Sequence, residues 1–352
     1  MFINYDICDN FLKKVIKMTV SYTPRKRFAP EEYAKSILEG DRIMLSRAIT
    51  LIESKLPSDV ALAEKVLELI LPHTGNSLRV GITGVPGVGK STFIESFGGL
   101  ITGMGKKLAV LTIDPSSQRS KGSILGDKTR MESLANDPMA YIRPSASGST
   151  LGGVNDKTRE TMLLCEAAGF EVIFIETVGV GQSETTVEGI TDFFLLLMLA
   201  GAGDELQGIK KGIMEMADAI AITKADGDNV NMSRMAAREY QNALRLFPAH
   251  ESGWEPEVLT CSSLKREGLE AIWDVIDRHH KLMVKTGYFQ AKRMEQNIAW
   301  MNEIIDYYLK YDFLHDEKVA ASMDFTHHQV ESGKLPAITA AKTLLELYRS
   351  KK

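Results

Sequence analysis

From position 78 onward, apolar residues fall in short, nearly unbroken runs. The runs are Leu78–Thr83, Leu108–Ile113, Tyr141–Arg143, Val172–Glu176, Phe193–Leu199, Ala219–Thr223 and Val258–Cys261. Most are built of Val, Ile, Leu and Phe, as expected of strands that crossover helices cover on both faces. Helical stretches separate them. Seven such strands predict a doubly wound, mainly parallel α/β sheet. A ligand of such a sheet sits beyond the carboxyl ends of its strands.

The period changes on either side of this region. Pro30, followed by Glu31 and Glu32, has the chemistry of a helix start. Ile37, Met44, Ala48 and Leu51 then recur at helical spacing, and Ser58-Asp59 reads as the cap of a second helix. This stretch is expected to be a helical cover packed on a neighbour. Beyond Gly287 the strand-like runs stop. Met294, Ile298, Met301, Ile305 and Tyr308 follow a four, three, four, three spacing, a heptad seam about two heptads long. Two shorter helical stretches follow, the last opening at Pro336. The expected organisation is therefore a helical region over 1–76, an α/β domain over 77–286 and a helical region over 287–352.

Composition narrows the class. The 352 residues are 44% hydrophobic and 25% charged, which excludes wholesale disorder. Lys and Arg number 42 against 46 Asp and Glu, so no global field favours nucleic acid as the main partner. Cys8, Cys165 and Cys261 are scattered, which fits a reducing compartment and no disulfide framework. The longest apolar stretch, Phe193 to Ala200, is far too short for a membrane helix. Lys13, Lys14 and Lys17 hint at a transit peptide, but Asp6, Asp9 and the lack of Arg oppose it; Met18 offers an alternative start. The expectation is a soluble, cytoplasmic protein.

The strongest chemical signal follows the first strand. Gly84-Val85-Pro86-Gly87-Val88-Gly89-Lys90-Ser91 is a complete G-x-x-x-x-G-K-S loop, and Ser91-Thr92-Phe93 opens a helix. Glycines let backbone N–H groups curl around phosphates, and the helix N-terminus adds a favourable dipole. Lys90 would reach the β and γ phosphates, and the Ser91 hydroxyl would ligate magnesium. Three carboxylates end or follow strands on the same edge: Asp114, Asp127 and Glu176. Magnesium on a triphosphate takes only one or two protein oxygens directly, so some of these act through water. Glu176-x-x-Gly179 also has the form of a switch segment, with an acid near the metal and a glycine N–H that senses the γ-phosphate. Val180 follows, where some GTPases place a water-orienting Gln; Gln182 lies two places further on.

Thr223-Lys224-Ala225-Asp226 resembles the guanine-reading N-K-x-D. Asp226 can accept from guanine N1–H and N2–H₂, a donor pair that adenine lacks, and the Lys224 stem would lie along the base. Thr223 stands where Asn is usual, and Asn ties this segment to the phosphate loop, so the match is weakened there. Ser262-Ser263-Leu264 is a second candidate base-contacting turn. His279-His280 and His327-His328 are adjacent pairs that do not converge on a metal, and are expected on solvated faces. Gly201–Gly212, with Asp204, Glu205, Gln207, Lys210 and Lys211, is a glycine-rich polar segment suited to a switch or partner contact.

Together, Gly81–Glu95, Asp114–Arg130, Arg143–Gly153, Lys157–Ser183 and Asp204–Gly212 resemble the MeaB/ArgK family of GTPases. These accompany adenosylcobalamin-dependent methylmalonyl-CoA mutase. The likeness spans about Ala34 to Lys310 and is most specific at Gly122–Arg130 and Glu176–Glu184. It implies a P-loop GTPase chaperone of the SIMIBI class that gates cofactor loading into the mutase and helps replace damaged cofactor. It implies that Lys90 and Ser91 hold phosphate and magnesium, that Asp114, Asp127 and Glu176 line the magnesium site, and that Asp226 reads guanine. It assigns Asp204–Gly212 to communication with the mutase and the C-terminal helical region to homodimerisation. The alternatives are a P-loop kinase or ATPase linked to basic-amino-acid transport and a metallochaperone GTPase.

Overall fold

The computed structural model describes residues 27–113, 131–144, 157–177, 183–201, 211–248 and 251–350. Three helices precede the sheet: α1 (Pro30–Leu38), α2 (Arg42–Ile52) and α3 (Pro57–Ile70). Gly40, at φ +80°, breaks the first from the second, and Asp41 caps α2 by accepting from the N–H groups of Ile43 and Met44 at 2.8 and 3.1 Å. The expected Ser58-Asp59 cap is not what begins α3. Leu56 is the N-cap and Pro57 takes the first turn. Asp59 is instead buried, and its carboxylate accepts from Arg27 Nε at 2.9 Å. Tyr33, Ile37, Leu45, Ile49 and Val66 form the buried face of this cover, which packs on α6 (Thr158–Ala167).

All seven expected strands form: β1 (Leu78–Gly84), β2 (Leu108–Ile113), β3 (Ala140–Pro144), β4 (Val172–Thr177), β5 (Phe193–Leu199), β6 (Ala219–Thr223) and β7 (Glu257–Thr260). They make one sheet in the order β3-β2-β4-β1-β5-β6-β7, with every pairing parallel. Between them run α4 (Lys90–Gly103), α5 (Glu132–Ala135), α6, α7 (Ser183–Glu188), α8 (Lys211–Glu215) and α9 (Val230–Leu244). Phe97 of α4 stacks on Phe174 of β4 with ring centroids 5.4 Å apart, and Phe93 lies 5.1 Å from Phe97. This aromatic layer fixes α4, and with it the phosphate loop, on the sheet.

After β7, α10 (Leu269–Thr286) ends at Gly287 in the left-handed conformation, and the chain turns into α11 (Tyr288–His315). Helices α12 (Glu317–Glu331) and α13 (Ala337–Arg349) follow, with Pro336 at the N-cap of the last. The histidine pairs behave differently from one another. His327 and His328 are exposed as expected. His279 is not: it is 4% exposed, wedged edge-on between Phe193 and Trp254, with Nε2 3.6 Å from Asp218. Burial lowers its pKa, so the ring packs as a neutral aromatic.

The first turns of α11 are locked to the amino edge of the sheet. Arg293 donates from Nε and Nη2 to the two oxygens of Asp192 at 2.8 and 2.7 Å, and to the carbonyls of Gly75 and Ser77. Asp192 also accepts from the Arg79 N–H at 2.7 Å. Glu166 takes Arg79 Nε at 2.8 Å, the Ser77 hydroxyl and the Gly75 N–H. All four charged residues are less than 10% exposed. Removing one member of a buried pair typically costs about 3–5 kcal/mol, because the other charge is stranded. Arg293→Met should therefore lower the unfolding free energy by about 3–5 kcal/mol in a denaturant titration. A change below about 1 kcal/mol would show that water already solvates this cluster.

Candidate nucleotide-binding site

The loops that follow β1, β4, β5 and β6 leave the same edge of the sheet, because every strand points the same way. Glycines 84, 87 and 89 shape the loop after β1. A Cβ on Gly84 would lie 2.5 Å from the Leu197 carbonyl, so only glycine lets β1 pass this close to β5. Gly87 and Gly89 have φ of +76° and +90°. Gly89 then caps α4, whose N-terminal N–H groups face the loop. Val85 and Val88 are buried under the loop, while Pro86 and Gly87 are exposed.

Lys90 donates from Nζ to the Gly84 carbonyl at 2.8 Å, so its ammonium lies across the mouth of the loop. Ser91 Oγ and Glu176 Oε1 approach to 3.5 Å, a contact between the second residue of α4 and the end of β4. Two hard oxygen donors converging beside a phosphate loop suit magnesium. Glu176 is 4% exposed, and the adjoining Thr177 hydroxyl pairs with that of Thr83 at 2.8 Å, holding β4 to β1 at this edge. Asp114, Asp127, Gly179, Gln182, Asp204, Glu205, Gln207 and Lys210 lie outside the described residues; Lys211 begins α8.

The Thr223–Asp226 segment is tied to the phosphate loop after all. Thr223 Oγ1 donates to the Val88 carbonyl at 2.8 Å, with the Met198 carbonyl of β5 at 3.3 Å. The threonine hydroxyl thus makes the link expected of Asn. Lys224, at φ +55°, carries its stem over the loop and donates from Nζ to the Gly87 carbonyl at 2.8 Å. The motif predicts this stem along the base; its hold on the loop depends on a fold contact 137 residues away and has no local signal in the sequence. Asp226 accepts from the Ser262 hydroxyl, which in turn accepts from the Lys265 N–H at 3.2 Å. The Ala225 N–H bonds the Cys261 carbonyl at 3.0 Å. Ser262 is 1% exposed and orients Asp226, while Ser263 contributes its carbonyl to Ser96 of α4. Leu264 is exposed at the rim. Cys261 is buried, and burial pushes its thiol pKa up to about 12, so it packs as an apolar group and offers no nucleophile.

The sequence profile of the family described as methylmalonyl-CoA mutase-associated GTPase MeaB matches residues 45–317. GTPase ArgK of Escherichia coli is 47% identical over 272 residues, covering 77% of this chain and 82% of that protein. The mouse protein named methylmalonic aciduria type A homolog, mitochondrial, is 42% identical over 336 residues, covering 93% of this chain and 81% of its own. A solved structure titled LAO/AO transport system kinase superposes with a TM-score of 0.73 at 37% identity, covering 91% of this chain and 98% of that one.

Thr223→Val keeps the shape of the side chain and removes the hydroxyl, stranding the buried Val88 carbonyl. An unsatisfied buried acceptor costs about 1–3 kcal/mol. GTP affinity measured by calorimetry should fall about tenfold or more, the equivalent of at least about 1.4 kcal/mol. Unchanged affinity would show that the link plays no part in holding the loop.

Proposed function

The chain belongs to the MeaB family of GTPases, and from that premise we propose that it is a GTP-driven chaperone of an adenosylcobalamin-dependent methylmalonyl-CoA mutase. Such a protein gates cofactor loading and helps restore the mutase when its cofactor is damaged. The observation that carries the nucleotide half of this reading is Asp226, aimed by Ser262 and tied through Thr223 to the phosphate loop. The mutase half is supported by the family's own description and by the mouse relative's name.

In this reading the backbone N–H groups of the segment 84–92, all but Pro86, bind the phosphates, and Lys90 leaves the Gly84 carbonyl to meet the β and γ oxygens. Ser91 and Glu176 would hold magnesium, with Asp114 and Asp127 contributing directly or through water. When bound, the ion neutralises charge on the phosphates. Asp226 accepts from guanine N1–H and N2–H₂. Gly179 senses the γ-phosphate, and Val180 has no group to orient the attacking water. Hydrolysis is therefore slow until a partner engages Glu176–Glu184 and Asp204–Gly212.

The test is GTP turnover. The protein alone should turn over well below about one GTP per second, by analogy with switch GTPases that lack a supplied catalytic group. An adenosylcobalamin-dependent acyl-CoA mutase should raise the rate about tenfold or more, a gain of at least about 1.4 kcal/mol in the barrier. A transport-linked kinase would prefer ATP and ignore the mutase.

The C-terminal region is proposed to join two copies of the chain. Met294, Ile298, Met301, Ile305 and Tyr308 are between 46% and 64% exposed on one face of α11, a contiguous apolar stripe of the kind that marks an interface. Replacing Ile298 and Ile305 with Glu should give a monomer with normal GTP affinity. Wild-type protein that sediments as a monomer at micromolar concentration would overturn this assembly.

A further inference from the structure

A serine or threonine inside a helix often turns its hydroxyl back to the carbonyl four residues earlier. Ser46, Thr50, Thr286 and Thr326 do so on α2, α10 and α12, at 2.8 to 3.0 Å. Ser96 on α4 does not. Its Oγ donates at 2.8 Å to the carbonyl of Ser263, 167 residues away in the turn after β7. Ser96 stands six residues past Lys90, about 9 Å further along the axis at about 1.5 Å per residue. The helix that begins with Lys90 and Ser91 therefore also grips the turn that holds Asp226.

That turn is strained and mostly in water. Leu264, Lys265, Arg266 and Glu267 are exposed. Arg266 has φ +57°, in the left-handed region that non-glycine residues rarely adopt. The Ser262 and Glu267 backbones exchange hydrogen bonds of 3.0 and 3.1 Å and close the turn at its base. Ser262 Oγ takes the Lys265 N–H at 3.2 Å and donates to Asp226. The Ser96 bond fixes the Ser263–Leu264 peptide, next along the chain from the residue whose hydroxyl aims that carboxylate.

This tie differs from those of Thr223 and Lys224. Their bonds hold Asp226's own segment against the phosphate loop and so set where its backbone lies. Ser96 acts from the opposite side, through Ser262, on the direction of the carboxylate. A carboxylate accepting two parallel bonds is sensitive to rotation, because a turn that lengthens one bends the other.

We propose that Ser96 is a positioning residue for guanine selection: its bond to Ser263 holds Ser262, and through it Asp226, in the orientation that accepts from N1–H and N2–H₂ together. The inference rests on the reading of Asp226 as the guanine acceptor. It places a specificity determinant on the phosphate helix, outside the G-x-x-x-x-G-K-S motif. Inosine triphosphate separates the two halves of the site. It keeps N1–H and lacks the 2-amino group, so lost aim costs GTP more than ITP. Damage to the phosphate loop costs both alike.

The experiment measures GTP and ITP affinity by calorimetry on the full chain. Wild type should prefer GTP about tenfold or more. Ser96→Ala should weaken GTP about tenfold and ITP by less, narrowing the preference at least about threefold at unchanged melting temperature. Ser96→Thr keeps the hydroxyl and should restore both affinity and preference. Should Ser96→Ala fail to fold, Ser96→Cys, a weak donor of similar size, carries the same comparison. Equal losses for GTP and ITP would assign Ser96 to support of the phosphate loop and overturn the inference, as would a threonine variant that behaves like the alanine one. A preference for GTP that Ser96→Ala leaves intact overturns this inference alone. Wild-type protein that binds the two nucleotides equally overturns the guanine reading of Asp226, and the role of Ser96 with it.

Discussion

Four buried charges at the amino edge of the sheet fix where the rest of the molecule can go. Arg79 and Arg293 face Glu166 and Asp192, and the set sums to zero. Burial alone would raise the Glu166 pKa, but the adjoining Arg79 and Arg293 outweigh it and hold the carboxyl below its usual range. Each member lies in or beside a different element. Arg79 lies in β1, Glu166 at the end of α6, Asp192 just before β5 and Arg293 in α11. Buried pairs add little to stability compared with apolar packing, but they tolerate few alternative arrangements. The cluster therefore acts as a registration point: it sets strand starts and aims the C-terminal helix.

With one edge held this way, the opposite edge is where backbone polarity is left for ligand chemistry. Side chains nevertheless occupy the phosphate-loop carbonyls of Gly84, Gly87 and Val88: Lys90, Lys224 and Thr223. Two of these donors are cations at the end of long stems, so they can exchange a carbonyl for a phosphate oxygen at little cost in strain. The third is a short buried hydroxyl whose other acceptor within reach is the more distant Met198 carbonyl of β5. The loop is thus shaped in advance by Thr223, while the two long lysine stems can turn towards an incoming charge. Preorganisation of this kind spares the nucleotide the entropy of ordering the loop.

The strands could be read from the chain because burial on both faces leaves a simple signature, a short apolar run, and all seven appeared within about two residues of their true ends. The phosphate loop was readable because its glycines have no substitute at positive φ or against the Leu197 carbonyl. What failed was local chemistry whose partner is remote in sequence. Asp59 looked like a cap because caps are local, yet its partner Arg27 sits 32 residues away. His279 looked solvated beside a polar neighbour, and only the fold brings Trp254 and Phe193 to its ring. Thr223 looked like a defect because the motif prescribes Asn. The motif records one residue type, whereas the function needs only a donor at the right distance from Val88.

Helix α11 shows the same lesson at larger scale. A helix at the edge of a domain ordinarily turns its apolar stripe inward. Here the inward face is polar. Lys292 pairs with Glu188 at 3.2 Å, Gln296 donates to the Thr191 carbonyl at 2.9 Å, and Arg159 reaches Glu303 at 3.4 Å while lying over the Trp300 ring. The apolar seam begins two residues later, at Met294, about 200° around the helix from Lys292 at about 100° per residue. Hydrophobic pattern alone locates the seam and says nothing of what the other face does. The ion pairs settle that: they bind α11 to α6 and α7, the helices that follow the segments after β3 and β4. The seam is thereby held in one orientation to the nucleotide edge, and a body packed on it would meet α6 and α7 through a single rigid helix.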